Sequence, residues 1–171
     1  MKIKILVLIT IVCFGCQSKK NVPEALVING NWQFKKVNDT IWNPATVPGN
    51  VHSDLLQNEI IEHPFIKDNE FNLQWISEAD WEYKTRFEVE DQTLNNKHLE
   101  LNFEGLDTYA SVFLNDSLIL QSNNAFRQHL VDVKPLLKSE NELHIVFEKT
   151  STSEDKEKNK LNYSLPEGNR I

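Results

Sequence analysis

Cysteine is nearly absent from this sequence. The 171-residue chain has two, Cys13 and Cys16, and none after them. That excludes a disulfide framework or a cysteine-held zinc in the body of the protein. Basic charge is short as well: 18 Lys and Arg stand against 25 Asp and Glu, a net charge of −7. A nucleic-acid surface needs a basic stripe, so that class drops out. Glycine is scarce, at five. No phosphate-cradling Gly-rich loop, G-x-S-x-G elbow or H-E-x-x-H helix occurs, and no cofactor is expected. Length is the last shortage. A (β/α)₈ barrel needs about 250 residues, so this chain cannot hold one. What remains, 40% hydrophobic and 25% charged, suffices for one globular core.

The one long apolar run opens the chain. Lys2 and Lys4 precede Ile5 to Phe14, and Gly15 precedes Cys16. A ten-residue helix spans about 15 Å, half of a ~30 Å hydrocarbon core. The run therefore reads as a signal peptide rather than a membrane span. A small residue before cysteine is similar to a bacterial lipoprotein cleavage site, although Cys13 stands where leucine is usual. Cys16 is the expected lipid-attachment residue, and the expected location is the bacterial cell envelope, in the periplasm or at the cell surface. The expected divisions are 1–16 signal peptide, 17–23 polar tether and 24–171 folded body.

The body alternates with period two. Trp81, Tyr83, Thr85, Phe87 and Val89 share one face of a strand; Glu82, Lys84, Arg86 and Glu88 share the other. Leu99, Leu101 and Phe103 repeat the pattern, as do Leu143, Ile145 and Phe147. Tyr109 to Leu114 and Leu118 to Gln121 read as a hairpin around Asn115 and Asp116, which both tolerate left-handed backbone. Weaker strands are expected at Leu26 to Ile28, Trp32 to Lys36 and Phe126 to Val131. Short helical turns are expected at His52 to Gln57, after Pro48-Gly49, and at Ser77 to Asp80. The charged stretch 148–160 reads as a loop. The sum is an all-β antiparallel sandwich with one or two short helical turns.

Chemistry is sparse. The five histidines, His52, His63, His98, His129 and His144, show no metal-ligand spacing. Glycoside hydrolysis needs two carboxyls about 5–10 Å apart. Glu62, Glu70, Glu78, Asp80 and Asp107 are conceivable members, but no catalytic pair is assigned. Among Trp32, Trp42, Trp75 and Trp81, the first and last lie in strands and read as core. Trp75, in a loop, is either an exposed platform for a sugar face or a loop pin. Asn38-Asp39-Thr40, Asn115-Asp116-Ser117 and Asn162-Tyr163-Ser164 match the N-glycosylation pattern and read as coincidence.

Longer strings carry more information. They are Trp32-Gln33-Phe34, Val47-Pro48-Gly49 with Val51-His52 and Asp54-Leu55-Leu56, Asn69-Glu70, Gln74-Trp75-Ile76, Asp80-Trp81, Gly105-Leu106-Asp107-Thr108-Tyr109-Ala110 and Asn124 with Phe126-Arg127. In this order they resemble the opening of β-mannosidases of glycoside hydrolase family two. The resemblance implies a jelly-roll, galactose-binding-like sandwich that binds or positions sugar. It also implies an immunoglobulin-like domain and a catalytic barrel elsewhere as partners, with two glutamates in the barrel acting by a retaining mechanism on a mannoside. The family's Trp-Asp-Trp-Gly-Pro motif and the last strands of the sandwich are expected beyond Ile171. Trp75, Glu70, Asp80 and Arg127 become candidates for sugar contact or a domain interface. Asp107 is expected to bond to nearby backbone. A free carbohydrate-binding module and a purely structural docking domain are the alternatives.

Overall fold

A computed structural model describes residues 25–152 and 158–163. The signal-peptide and tether residues, Cys16 included, lie outside the described residues. Among the described residues, eight strands and short helices follow one another in a simple order. The strands are β1 (Gln33–Lys36), β2 (Asn43–Pro44), β3 (Trp81–Glu88), β4 (Glu100–Phe103), β5 (Tyr109–Leu114), β6 (Ser117–Asn123), β7 (His129–Asp132) and β8 (Glu140–Glu148). Between them lie α1 (Val51–Gln57), α2 (Asn69–Asn72), a 3₁₀ turn (Gln74–Ile76) and α3 (Asp91–Leu94).

The strands form a six-stranded sheet, ordered β2-β1-β3-β8-β5-β6, and a two-stranded sheet, β4-β7. Every pairing is antiparallel. The all-β sandwich expected from the alternation is what the chain forms. The inner face of the large sheet carries Phe34, Trp81, Tyr83, Val112, Leu143 and Ile145, all buried. Leu101 and Phe103 of the small sheet pack against this core, as do Leu55 of α1 and Ile76 of the 3₁₀ turn. Phe34 stacks on Trp81 and Tyr83 with ring centroids 6.0 and 5.7 Å apart.

Turn chemistry places the elements. Asn115 and Asp116 adopt φ of 49° and 66°, the left-handed backbone expected of them in the hairpin read from the sequence, and two successive positive φ angles are those of a type I′ turn. Asn115 Nδ2 donates to the carbonyl of Leu136 and to Asn141 Oδ1, and its Oδ1 accepts from Glu142 N–H. The hairpin is thus tied to β8. Helix α1 starts at Asn50, whose side chain accepts from Ser53 N–H at 3.0 Å. Asp54, fully buried in α1, accepts from Thr46 N–H and from the Tyr83 hydroxyl, both at 2.9 Å. One carboxylate thereby joins the Pro48 loop, the helix and the central strand. Burial, followed by the charge and hydrogen bond of Asp54, raises the Tyr83 phenol far above its ordinary range. The two sheet edges are blunted differently: Pro44 sits in β2, and a register shift opposite Val112 and Phe113 leaves Ile119 of β6 unmatched.

Several expectations fail locally. Leu26 to Ile28 forms no strand; Leu26 and Val27 stay exposed. The strand expected from Phe126 begins only at His129, because Phe126 N–H turns back to Asn124 Oδ1 at 2.9 Å. The helical segment expected at Ser77 to Asp80 lies earlier, as α2 and the 3₁₀ turn. Within the stretch 148–160, Glu148 ends β8 and residues 150–152 are helical.

Candidate functional site

One end of the large sheet collects most of the candidate residues. A row of paired residues, Lys36, Trp81, Phe147, Ala110 and Ser122, crosses five strands near that end. Just beyond it stand the Val37–Asn38 turn, Asp80, Lys149, Thr108 and Asn124. Arg127 belongs to the loop that leaves β6 there. The ends of β3 and β6 are three strand spacings apart, about 14 Å. Asp80 and Arg127 therefore share an end of the fold but do not pair.

Trp75 and Asp80 do come together. With Lys36, Val37, Asn38, Glu78 and Ala79 they line an open cleft of about 350 Å³. Trp75 is 40% exposed, against 6% for Trp32 and 7% for Trp81. Its ring leans on Trp81 at 5.9 Å between centroids, tilted 42°. Trp75 is thus both loop pin and partly open face. Lys36 reaches it because its side chain continues the inward series of Phe34; past the core it meets the Trp75 ring, with Nζ 5.9 Å from the centroid. Asp80 Oδ1 accepts from Lys149 N–H at 2.7 Å, and the Asp80 carbonyl accepts from Val37 N–H at 2.9 Å. Glu78 Oε2 accepts from Ser151 Oγ at 3.2 Å. The two carboxylates hold the segment that leaves β8 against the cleft.

Glu70 lies apart, in α2. It lines a smaller hollow of about 190 Å³ with His52, Pro64, Leu73, Gln74 and Ser77. Arg127 is exposed and forms no ion pair among the described residues. Phe126 beside it is 98% exposed. Asp107 bonds to the Thr108 hydroxyl rather than to backbone. Glu62 Oε2 accepts from Asn69 Nδ2 at 3.3 Å. Among the described residues no three His, Cys, Asp or Glu side chains converge as a metal site would require, and no helix is long and apolar enough to cross a membrane.

Sequence reading missed Lys36 and Asn38 as cleft residues. Asn38 had a usable signal: Asn38-Asp39 is turn chemistry after a strand, and Asn38 adopts φ of 74°. A second cluster also escaped it, on the outer sheet face. Trp42 there lies under Lys84 and Lys35, with Nζ 4.0 and 5.1 Å from the ring centroid. Glu82 pairs with Lys35 at 3.2 Å and with His144 at 3.0 Å.

Comparison with known proteins decides the family. Residues 32–170 match the family described as glycosyl hydrolase 2 galactose-binding domain-like. The chain belongs to that family. It is 31% identical over 148 residues to a β-mannosidase of Rattus norvegicus, covering 86% of this chain and 16% of the relative. It is 40% identical over 125 residues to β-mannosidase B of Thermothelomyces thermophilus, covering 71% of this chain and 14% of the relative. Among solved structures, the β-D-mannosidase of Dictyoglomus thermophilum superposes with a TM-score of 0.80 at 36% identity, over 84% of this chain and 18% of that one. The β-D-glucuronidase from the same organism superposes at 0.54 with 15% identity, a likeness of fold alone. The chain spans less than one fifth of the length of these mannosidase relatives. It corresponds to their N-terminal, non-catalytic domain.

Proposed function

We propose that this chain serves a β-mannosidase as the domain that supports its active site, in an enzyme that releases terminal β-linked mannose from oligosaccharides. The observation that carries this reading is the contrast between relatives. Likeness to the Dictyoglomus thermophilum mannosidase extends through both fold and sequence. Likeness to the glucuronidase stops at the fold. The sandwich would contribute position and active-site wall, while the paired carboxylates of a retaining mechanism lie in a barrel outside this chain. Its partners are then the remaining domains of that enzyme and the mannoside.

The carboxylates at the rim support this division of labour. Glu78 and Asp80 each hold a group of the segment leaving β8, which is structural work. Arg127 and Phe126, exposed on the loop after β6, are the residues we assign to contact with the rest of the enzyme. Glu70 and its hollow take the same assignment.

The test has two parts. This chain alone, assayed on a chromogenic β-mannoside, should show no turnover. The DNA following the codon for Ile171 should encode an in-frame continuation with the Trp-Asp-Trp-Gly-Pro string and a barrel. Turnover by the purified chain, or an unrelated gene downstream, would overturn the reading.

We further propose that the first sixteen residues export the chain and that Cys16 becomes its acylated N-terminus, placing the protein in the bacterial envelope. Acyl chains give firm anchoring while the body stays aqueous. Mass spectrometry of the mature N-terminus should find a diacylglyceryl thioether on Cys16, and Cys16→Ser should release the protein from membranes. A mature protein that starts elsewhere without lipid would refute the anchor.

A further inference from the structure

The two ends of the sandwich are told apart by where the chain enters. Residues 25–32 lead into β1, and three contacts fix their course. Trp32 Nε1 donates to the Ile28 carbonyl at 3.2 Å. Ile28 packs against the core. Gly30 lies so close to β3 that a Cβ there would meet Thr85 Oγ1 at 3.1 Å and the Arg86 carbonyl at 3.2 Å. Thr85 and Arg86 belong to the second half of β3. The chain therefore enters beside the end of β3 that carries Glu88, not the end that carries Trp81.

The entry end is built from connections remote from the cleft. Val89 N–H donates to the Ser139 carbonyl and Val133 N–H to the Leu99 carbonyl, both at 2.9 Å. These bonds bring the β3–β4 and β7–β8 connections together there. The Asn115 turn joins them through its bond to the Leu136 carbonyl. Asp80 and the loop of Arg127 stand at the opposite end. Trp81 and Glu88 bound β3 and are seven residue steps apart, about 23 Å at ~3.3 Å per residue. β8 runs the same length, from Glu140 at the entry end to Glu148 beside Asp80 and Lys149.

Reach then links the entry end to a bilayer. This step rests on the reading of Cys16 as the acylated N-terminus. Ala25 stands nine residues after Cys16, a distance that the chain spans to at most about 30 Å. Leu26 and Val27 follow at once, 66% and 78% exposed. Apolar side chains at the root of a short tether are the first part of the body to meet the headgroup region, and their burial there is favourable.

We propose that the entry end of the sandwich, led by Leu26 and Val27, is a contact surface for a lipid bilayer, and that the end carrying the cleft and Arg127 faces away from it. The tether alone would let the body turn freely; the two apolar side chains bias it. Phe126 and Arg127, assigned above to the rest of the enzyme, then stand a full strand length from the bilayer, which leaves room for further domains on the aqueous side.

The experiment uses the full chain, expressed with its leader and lipidated, in vesicles of phosphatidylcholine containing a share of the same lipid with a nitroxide on its headgroup. Cys16 as a thioether leaves the mature chain no thiol, so single cysteines can be introduced and labelled with a fluorophore. Asn96→Cys and Ser139→Cys mark the entry end, and Glu104→Cys and Gln128→Cys the cleft end; all four positions are exposed. The nitroxide quenches at short range, so with the ends about 23 Å apart the entry-end labels should lose at least about three times as much fluorescence as the cleft-end labels. Leu26→Ser combined with Val27→Ser, at exposed positions, should leave the protein on the vesicles and cut that contrast by about half or more. Equal or reversed quenching of vesicle-bound protein would overturn the proposal, as would a contrast that the double variant leaves unchanged. Failure of the anchor reading has a different signature: mass spectrometry finds no lipid on Cys16 and the chain stays off the vesicles, and the proposal then falls with it.

Discussion

Replacing Asp54 by alanine should cost about 3–5 kcal/mol of folding stability. The side chain is fully buried and accepts two hydrogen bonds, from Thr46 N–H and the Tyr83 hydroxyl. Bonds to a charged group contribute about 1.5–3 kcal/mol each. Their loss also leaves a buried phenol and a backbone N–H without partners. Against this stands the relief of removing a buried carboxylate, which lowers the total. Asp54 also lies in the first turn of α1, where an acidic group adds about 0.3–1 kcal/mol. A loss of this size is a large share of the ~5–15 kcal/mol that holds a typical domain together.

Urea unfolding followed by circular dichroism measures the loss, with the slope required to stay constant so that only stability has changed. The single variants Asp54→Ala and Tyr83→Phe, with their double variant, isolate the pairwise part. Because the two groups bond directly, the coupling should reach about 1–3 kcal/mol. A cost for Asp54→Ala under about 1 kcal/mol would refute the reasoning. So would single-variant effects that add within about 0.5 kcal/mol. Either result would mean that the carboxylate does not tie the Pro48 loop to the central strand.

The raised Tyr83 phenol sets a pH dependence. Above about pH 10 the unfolded chain loses this proton first, so stability falls by about 1.4 kcal/mol per pH unit; urea midpoints should drop more steeply for the wild type than for Tyr83→Phe, and equal slopes would contradict the burial. Gly49→Ala should cost about 1–3 kcal/mol, because a Cβ there would collide with the Thr46 carbonyl; an unchanged melting temperature would count against the tight loop. Asn115→Ala should cost about 2–4 kcal/mol by removing both the left-handed preference and the bonds to Leu136 and Glu142. Asn115→Gly should regain about 1 kcal/mol of that in thermal denaturation, since glycine supplies the backbone conformation alone; no recovery would deny the strain.

The parts of the fold that were legible are those whose cause is local. The inward set of β3 could be read because one face is buried at Trp81, Tyr83 and Thr85 and half-buried at Phe87, and a one-residue slip would turn that whole set outward. The β5–β6 turn was readable because two adjacent residues that accept positive φ stand between apolar runs. The α2 segment gave no such signal: Asp68 makes no capping bond and no residue of α2 is buried. Its helix is set by neighbours rather than by its own pattern. β2 has two residues, one of them Pro44, which is too short for alternation to register.

At the site the same distinction separates the candidates. Trp75 could be singled out as a loop tryptophan, but its lean on Trp81 depends on where the 3₁₀ turn ends. The task of Asp80 was hidden by distance, because its partner Lys149 is 69 residues away. A carboxylate reserved for a distant backbone N–H looks, in sequence, like any carboxylate free for a ligand. Here the two uses are compatible, since one oxygen of Asp80 holds the chain and the other remains. Charge-neutral Asp80→Asn would keep an oxygen for Lys149 and replace the second oxygen by an amide donor. The variant should therefore unfold in urea within about 1 kcal/mol of the wild type, whereas Asp80→Ala, which leaves Lys149 N–H without its acceptor, should lose about 1–3 kcal/mol; equal losses for the two variants would refute this task of Asp80.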